Sequence, residues 1–220
     1  MSFNIAIDGP AGAGKSTIAK NVAKALSYIY VDTGALYRAM ALHFLRNHTD
    51  SAQENAVAAA CADISITLSY DEGVQKVILN GEDVTGKLRT EEVGNTASIV
   101  SAYPAVREKL LQLQRDLAAS ENVVMDGRDI GSHVLPKADI KIYLTASSDV
   151  RAERRYEELR AKGITCDIAK LKADIEERDQ RDMNRDIAPL KQAEDAIYLD
   201  SSNLTISEVT ERILELVTIK

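Results

Sequence analysis

The sequence predicts an α/β fold, a mostly parallel sheet covered on both faces, and three observations carry that expectation. Five short runs are rich in apolar and β-branched residues, as strands buried on both faces must be: Phe3 to Ile7, Tyr28 to Val31, Val123 to Met125, Ile140 to Leu144 and Ala196 to Leu199. The segments between them repeat apolar residues at three- and four-residue spacing, the period of a helix face. A glycine-rich turn joins the first strand to the first helix. Alternating strands and helices of this kind wind into a parallel sheet with helices on both sides.

The turn is the most informative stretch. Gly9-Pro10-Ala11-Gly12-Ala13-Gly14-Lys15-Ser16-Thr17 fills the pattern G-x-x-x-x-G-K-[ST]. Phe3 to Ile7 precedes it as a buried strand, and Ile18, Val22 and Leu26, flanked by Ala19 and Ala23, follow it as a helix face. Strand, turn and helix in that order form a phosphate-binding P-loop. Backbone N–H groups wrap a polyphosphate, and the positive end of the helix points at it. Lys15 can reach the β and γ phosphates, and the Ser16 hydroxyl can hold a magnesium ion.

After the second strand, Asp32-Thr33-Gly34 reads as a polar turn at the carboxyl edge of the sheet, where open α/β sheets bind ligands. Leu36, Met40, Ala41 and Phe44 then mark a helix whose first turn carries Tyr37 and Arg38. Arg38, beside a strand-end turn, is suited to an anion, though a solvated surface position is also open to it. An alanine-rich stretch, Ala52 to Ala62, leads into Ile64 to Leu68, where apolar and polar residues alternate. Lys76 to Leu79 is a second such strand, and Asn80-Gly81 is a tight hairpin signal. The region from about Asp63 to Arg89 is therefore expected to be a small antiparallel insertion.

Pro104 opens a long helix with Val106, Leu110, Leu113 and Leu117 on its core face. Spacing alone does not separate a ligand-facing Arg107 from a solvated one, nor does it assign Ser98. The third strand runs into Asp126-Gly127-Arg128-Asp129, so two carboxylates and an arginine crowd one strand-end turn. Between the fourth and fifth strands lie two helical stretches divided near Gly163. Arg151, Arg154 and Arg155 are expected to share a face of the first, and Arg178, Arg181 and Arg185 a stripe of the second. Pairing of Glu177 with Arg181, and of Arg178 with Asp182, is the alternative use of these side chains. Ile206, Val209, Ile213 and Val217 mark the last helix.

Composition narrows the class. The chain has 220 residues, enough for one α/β domain with room for insertions. Lysine and arginine number 27 against 34 acidic residues, a net charge of −7, which argues against nucleic acid as a partner. The arginines crowding residues 151–185 are suited instead to a small polyanion. No apolar stretch approaches the roughly 18 to 20 residues needed to span a bilayer, and the start carries no signal-peptide pattern. A cytoplasmic protein with no membrane partner is expected. Cys61 and Cys166 are far apart and lack partners at metal-ligand spacing, so free thiols are expected. With no exposed coiled-coil seam, a monomer is the expected state.

Taken together, these segments resemble the bacterial cytidylate kinases, a branch of the nucleoside monophosphate kinases. The likeness covers essentially the whole length. It is carried by Gly9 to Ser16, Asp32-Thr33-Gly34-Ala35-Leu36-Tyr37-Arg38, Asp126-Gly127-Arg128-Asp129 and Glu177-Arg178-Asp179-Gln180-Arg181-Asp182-Met183-Asn184-Arg185. The resemblance implies a P-loop NTPase three-layer fold: a five-stranded parallel sheet, a small antiparallel β insertion in the monophosphate-binding region, and a helical lid. It implies a single kinase domain over 1–220, with a core of 1–34, 104–150 and 186–220, a monophosphate-binding region of 35–103 and a lid with arginine-rich helices of 151–185.

The resemblance also implies the chemistry: transfer from ATP, with Mg²⁺, to CMP or dCMP. Arg38, Arg128 and Arg185 would hold the monophosphate, Arg178 and Asp182 the sugar, and Ser98, Arg107 and Asp129 the cytosine. Thr33 and Tyr37 would line the acceptor site, and Arg154 would face the moving phosphoryl group beside Lys15. Many relatives carry serine at the position of Thr33, so its extra methyl is a small departure. Two other readings compete. A kinase of another small acceptor, such as AMP, UMP or shikimate, is opposed only by the acceptor-site residues. A nucleotide-dependent switch is opposed by the lack of an Asn-Lys-x-Asp guanine-reading motif and by more arginines than one triphosphate requires.

Overall fold

The structure is a computed structural model and describes residues 2–219. Met1 and Lys220, the ends of the expected 1–220 domain, lie outside the described residues. A five-stranded parallel sheet runs in the order β2 (Ile29–Asp32), β6 (Val123–Gly127), β1 (Asn4–Asp8), β7 (Ile140–Thr145), β8 (Ile197–Asp200), and a separate three-stranded sheet in the order β3 (Ile66–Asp71), β4 (Val74–Leu79), β5 (Glu82–Asp83). The described residues form two compact units, one of residues 2–3 and 29–123, the other of residues 4–28 and 124–219.

The second unit carries β1 (Asn4–Asp8), α1 (Lys15–Leu26), β6 (Val123–Gly127, from its second residue), β7 (Ile140–Thr145), α6 (Ser148–Ala161), α7 (Ile168–Asn184), β8 (Ile197–Asp200) and α8 (Ile206–Ile219). β1 and β7 pair in parallel from Ile5 with Ile140 to Asp8 with Tyr143, and β7 pairs in parallel with β8. Ile5, Ala6, Ile7, Val124 and Met125 are fully buried, which is why these strands read as continuous apolar runs. Parallel pairing also brings the carboxyl ends of β1 and β7 to the same edge, where the glycine-rich turn begins. Helix α8 packs on α1, and its Val209 and Ile213 are buried.

In the first unit, β2 (Ile29–Asp32) leads into α2 (Thr33–Arg46), and α3 (Glu54–Ala60) precedes the insertion strands β3 (Ile66–Asp71), β4 (Val74–Leu79) and β5 (Glu82–Asp83). Helices α4 (Glu91–Val100) and α5 (Pro104–Ser120) follow. Leu36, Met40, Phe44, Val93, Val100, Val106 and Leu110 meet in one core between α2, α4 and α5. Gln75 on β4 ties the insertion to β2. Its Oε1 accepts from Asp32 N–H at 2.9 Å and its Nε2 donates to Asp32 O at 3.3 Å, so a buried side-chain amide takes the place of a neighbouring strand.

Several elements differ from the sequence expectation. No polar turn separates β2 from α2, because Asp32 ends the strand and also caps the helix, accepting from Ala35 N–H at 2.9 Å. β3 starts at Ile66, since Ile64 is buried before the strand begins, and alternates half-buried with exposed residues down to Asp71. Asn80-Gly81 does form a turn with φ of 48° and 85°, but it links β4 to the two-residue β5. The longer β3–β4 hairpin turns at Glu72-Gly73, also with positive φ at both residues. Helix α4 was not expected, and it places Ser98 on a different element from Arg107. Helix α7 stops at Asn184, so Arg185 lies beyond the helical stripe expected for Arg178, Arg181 and Arg185.

Candidate active site

At the carboxyl end of β1 the chain passes so close to β7 that a Cβ on Gly9 would sit 1.9 Å from the Leu144 carbonyl oxygen. Only glycine fits there. Gly14, with φ of 86°, then caps α1, whose first N–H groups face the loop. Lys15 is buried, and its Nζ donates to Pro10 O at 2.7 Å, folding the side chain back along the loop that ends at it. Burial, and then the Arg128 guanidinium, push the Lys15 ammonium well below its usual range, while Asp126, Asp182 and Asp8 act the other way.

Ser16 Oγ donates to Asp126 Oδ2 at 2.9 Å. A P-loop hydroxyl beside a strand-end carboxylate is the donor set that holds Mg²⁺ in P-loop enzymes, with substrate phosphate and water completing the shell, and the residues present fit that ion. Asp126 was not among the expected ligands. The signal lay in its position, the first acidic residue after an apolar strand. Asp8, at the end of β1, was also missed. It accepts from Ile130 N–H at 2.8 Å and Gly131 N–H at 2.7 Å, anchoring the single turn of π-helix at Ile130–Val134. Burial outweighs those hydrogen bonds and pushes its carboxyl up to about 6.

The Asp126–Asp129 turn and the end of α7 come together. Arg128 Nε donates to Asp182 Oδ2 at 2.8 Å, and Arg185 Nη2 approaches Asp129 Oδ1 at 3.3 Å. Past the helix end, Ala188 takes a φ of 46°, Leu190 N–H donates to Asp182 O at 2.8 Å, and Arg185 Nε donates to Ala188 O at 2.6 Å. This tight return aims Arg185 at Asp129. Burial opposes the charge on Asp182, but Arg128, with Arg178 and Arg185 also near, holds its carboxyl below the ordinary range. Arg128 is raised in turn: burial acts against its charge, and Asp182 more than compensates.

The other arginines of residues 151–185 divide. Arg154 donates to Ser201 Oγ at 3.2 Å and to Ser201 O at 2.7 Å, with Nη1 4.0 Å from where a Cβ on Gly14 would lie. Arg151 is buried against Asp179. Arg155, expected on the same face, points outward to Glu158 at 2.8 Å, and Arg181 sits exposed 3.6 Å from Glu177. Such exposed pairs contribute little.

In the first unit, the Asp32 carboxylate has Arg38 at 3.8 Å on one oxygen and Arg89 at 3.6 Å on the other. Gly34 keeps this corner open, because a Cβ there would lie 3.3 Å from Arg38 Nη2. Thr33 is buried at the start of α2. Arg107 is 5 % exposed, which removes the solvated alternative. Its Nη1 donates to Ser101 O at 3.2 Å and its guanidinium carbon lies 5.8 Å from the Tyr37 ring centre. Among the described residues the buried Ser98 Oγ has no hydrogen-bond partner, an arrangement that suits a ligand-facing hydroxyl.

The sequence matches the cytidylate kinase family model over residues 5–219. The chain belongs to the cytidylate kinase family. It is 51 % identical to a cytidylate kinase of Caldicellulosiruptor saccharolyticus over 97 % of this chain and 95 % of that one. It is 50 % identical to a cytidylate kinase of a Geobacillus species over 98 % and 96 % of the two chains. Among solved structures, an uncharacterized protein from Eubacterium ventriosum shares the fold, with a TM-score of 0.57 at 12 % identity over the full length of both chains. As a cytidylate kinase family member the chain is a nucleoside monophosphate kinase, and the expected α/β architecture, five-stranded parallel sheet with a small antiparallel sheet, is the one observed. No helix among the described residues is long and apolar enough to cross a membrane.

Proposed function

We propose that the protein transfers the terminal phosphoryl group of ATP to CMP or dCMP, giving ADP and CDP or dCDP, without a general base. The second pKa of a phosphate monoester lies near ~6, so at neutral pH the acceptor oxygen is already an anion. The remaining problem is to gather two polyanions and neutralise charge on the moving group, which positioned cations accomplish. The observation that carries this reading is the meeting of Arg128 with Asp182 and of Arg185 with Asp129. Those four residues belong to the two segments that distinguish the family's acceptor chemistry from that of other P-loop kinases.

In this reading Gly9 to Thr17 wrap the ATP phosphates, and Lys15 and Arg154 face the transferring group. Ser16, with Asp126, would hold Mg²⁺, which supplies charge neutralisation at the phosphates when bound. Arg38, Arg128 and Arg185 hold the acceptor phosphate, Arg178 and Asp182 the sugar, and Ser98, Arg107 and Asp129 the cytosine, with Thr33 and Tyr37 lining the acceptor. We further propose that the whole length acts as one kinase domain, with 35–103 serving the monophosphate and 151–185 serving as lid. It acts as a cytoplasmic monomer in pyrimidine nucleotide metabolism, with neither nucleic acid nor membrane as partner. A coupled assay of ADP release tests the reading: release should depend on CMP or dCMP and on Mg²⁺. Equal release with AMP, UMP or shikimate, or release independent of any acceptor, would overturn it.

A further inference from the structure

Arg151 lies in the first turn of α6 and Asp179 toward the C-terminal end of α7, and both are more than nine-tenths buried. Their side chains meet at 2.6 Å, Nη1 to Oδ2. Each also reaches the same residue of the P-loop. Asp179 Oδ1 accepts from Ala11 N–H at 3.3 Å, and Arg151 Nη1 donates to Ala11 O at 2.9 Å. The N–H and C=O of one residue belong to successive peptide planes, one on each side of its Cα. Holding both sets φ and ψ of Ala11 at once.

The rest of Arg151 is equally committed. Its Nε donates to Ala146 O at 2.9 Å, and its Cβ lies 3.4 Å from where a Cβ on Gly12 would be, so its stem packs along the loop. Asp179 uses one carboxylate oxygen on the loop and the other on the arginine, which only a group that accepts on both oxygens can do. Arg151 therefore does not serve as a phosphate ligand like the arginines around it. We propose that Arg151 and Asp179 are positioning residues: the pair clamps Ala11, presets the P-loop for the phosphates of the nucleotide donor, and ties the loop's conformation to helices α6 and α7. The proposal rests on the reading that the P-loop binds ATP.

Steady-state kinetics with each substrate varied, and hydrogen exchange of the amides of Gly9 and residues 11–14, test the pair in Arg151→Met, Arg151→Lys and Asp179→Asn. A loop displaced by about 1 Å loses on the order of 100-fold in rate. We therefore expect kcat/KM for ATP to fall about 10- to 100-fold in Arg151→Met and Asp179→Asn, with the KM for ATP raised, the KM for CMP within about twofold of the parent and exchange in the P-loop accelerated. Arg151→Lys, which keeps the charge and one donor, should fall between, and it keeps the test readable if a harsher variant unfolds. The two KM values moving together, or P-loop exchange unchanged in folded variants, would overturn the clamp. Lys15→Met serves as the control for the underlying reading. Full turnover in that variant would overturn ATP binding by the loop, whereas lost turnover there with normal KM for ATP in the clamp variants would overturn the clamp alone.

Discussion

Arg128 and the buried Asp182 form an ion pair, Nε to Oδ2 at 2.8 Å, that joins the turn after β6 to the end of α7. Breaking this pair from the Asp182 side leaves Arg128, about one-fifth exposed, with weaker compensation from Asp126 and Asp179, so the cost falls below the full buried-pair penalty, at about 1 to 3 kcal/mol. Asp182→Asn should therefore lower unfolding free energy at pH 7 by about that amount and raise the KM for CMP. The folded-state pKa of Asp182 is depressed, so its contribution is present above the ordinary aspartate range and is lost as pH falls through the depressed value. Denaturant titrations of parent and variant should converge at acid pH. A constant difference down to the lowest pH at which both fold would contradict the assignment.

Asp8 has the opposite sign. Its carboxyl is raised to about 6, so the folded state holds a proton that the unfolded chain has already released, and the parent should lose stability as pH rises from about 4 to 6. The full shift corresponds to about 3 kcal/mol. Asp8→Asn, which keeps one acceptor but turns an NH2 toward the second of the Ile130 and Gly131 N–H groups, should flatten that part of the profile while lowering stability at every pH. A carboxyl titration midpoint below 4.5 for Asp8, read by NMR, would remove the effect.

Lys15 is expected to support transfer more than fold. Its buried ammonium is disfavoured by its surroundings, so replacing it with an apolar side chain relieves a cost. Lys15→Met should keep or slightly raise the thermal midpoint while turnover falls by orders of magnitude. Near-normal turnover would exclude the role.

Base choice is expected to rest on Asp129. Cytosine offers an amino group that a carboxylate accepts from, as in readout of cytosine in DNA, whereas uracil presents a carbonyl at the same place. A site of matched polar groups can reject the mismatched base by up to about 10⁴ to 10⁵. Asp129→Ala should lower kcat/KM for CMP far more than for UMP. Because Asp129 also meets Arg185, both substrates should lose some activity, and the ratio between them is the measurement that decides. An unchanged ratio would confine Asp129 to holding Arg185.

The sequence by itself determined the elements whose signals are local. Buried parallel strands announce themselves as apolar runs, the P-loop by glycines at obligatory spacing, and the Asn80-Gly81 turn by residues that accept positive φ. Those signals need no knowledge of distant partners. What tertiary structure alone decided is which of several chemically equivalent groups face inward. Seven arginines in residues 151–185 looked alike in sequence, yet Arg151 is spent on Ala11 and Asp179, Arg155 and Arg181 on exposed carboxylates, and Arg154 rests against Ser201 beside the P-loop. Helix periodicity groups residues on a face, but burial depends on what packs there, and Arg185 escaped the pattern because α7 ends one residue before it. Asp8, Asp126 and Gln75 went unassigned for the same reason. Each acts through a partner more than 40 residues away, Gly131, Ser16 and Asp32, and only the folded chain brings those pairs within hydrogen-bond reach.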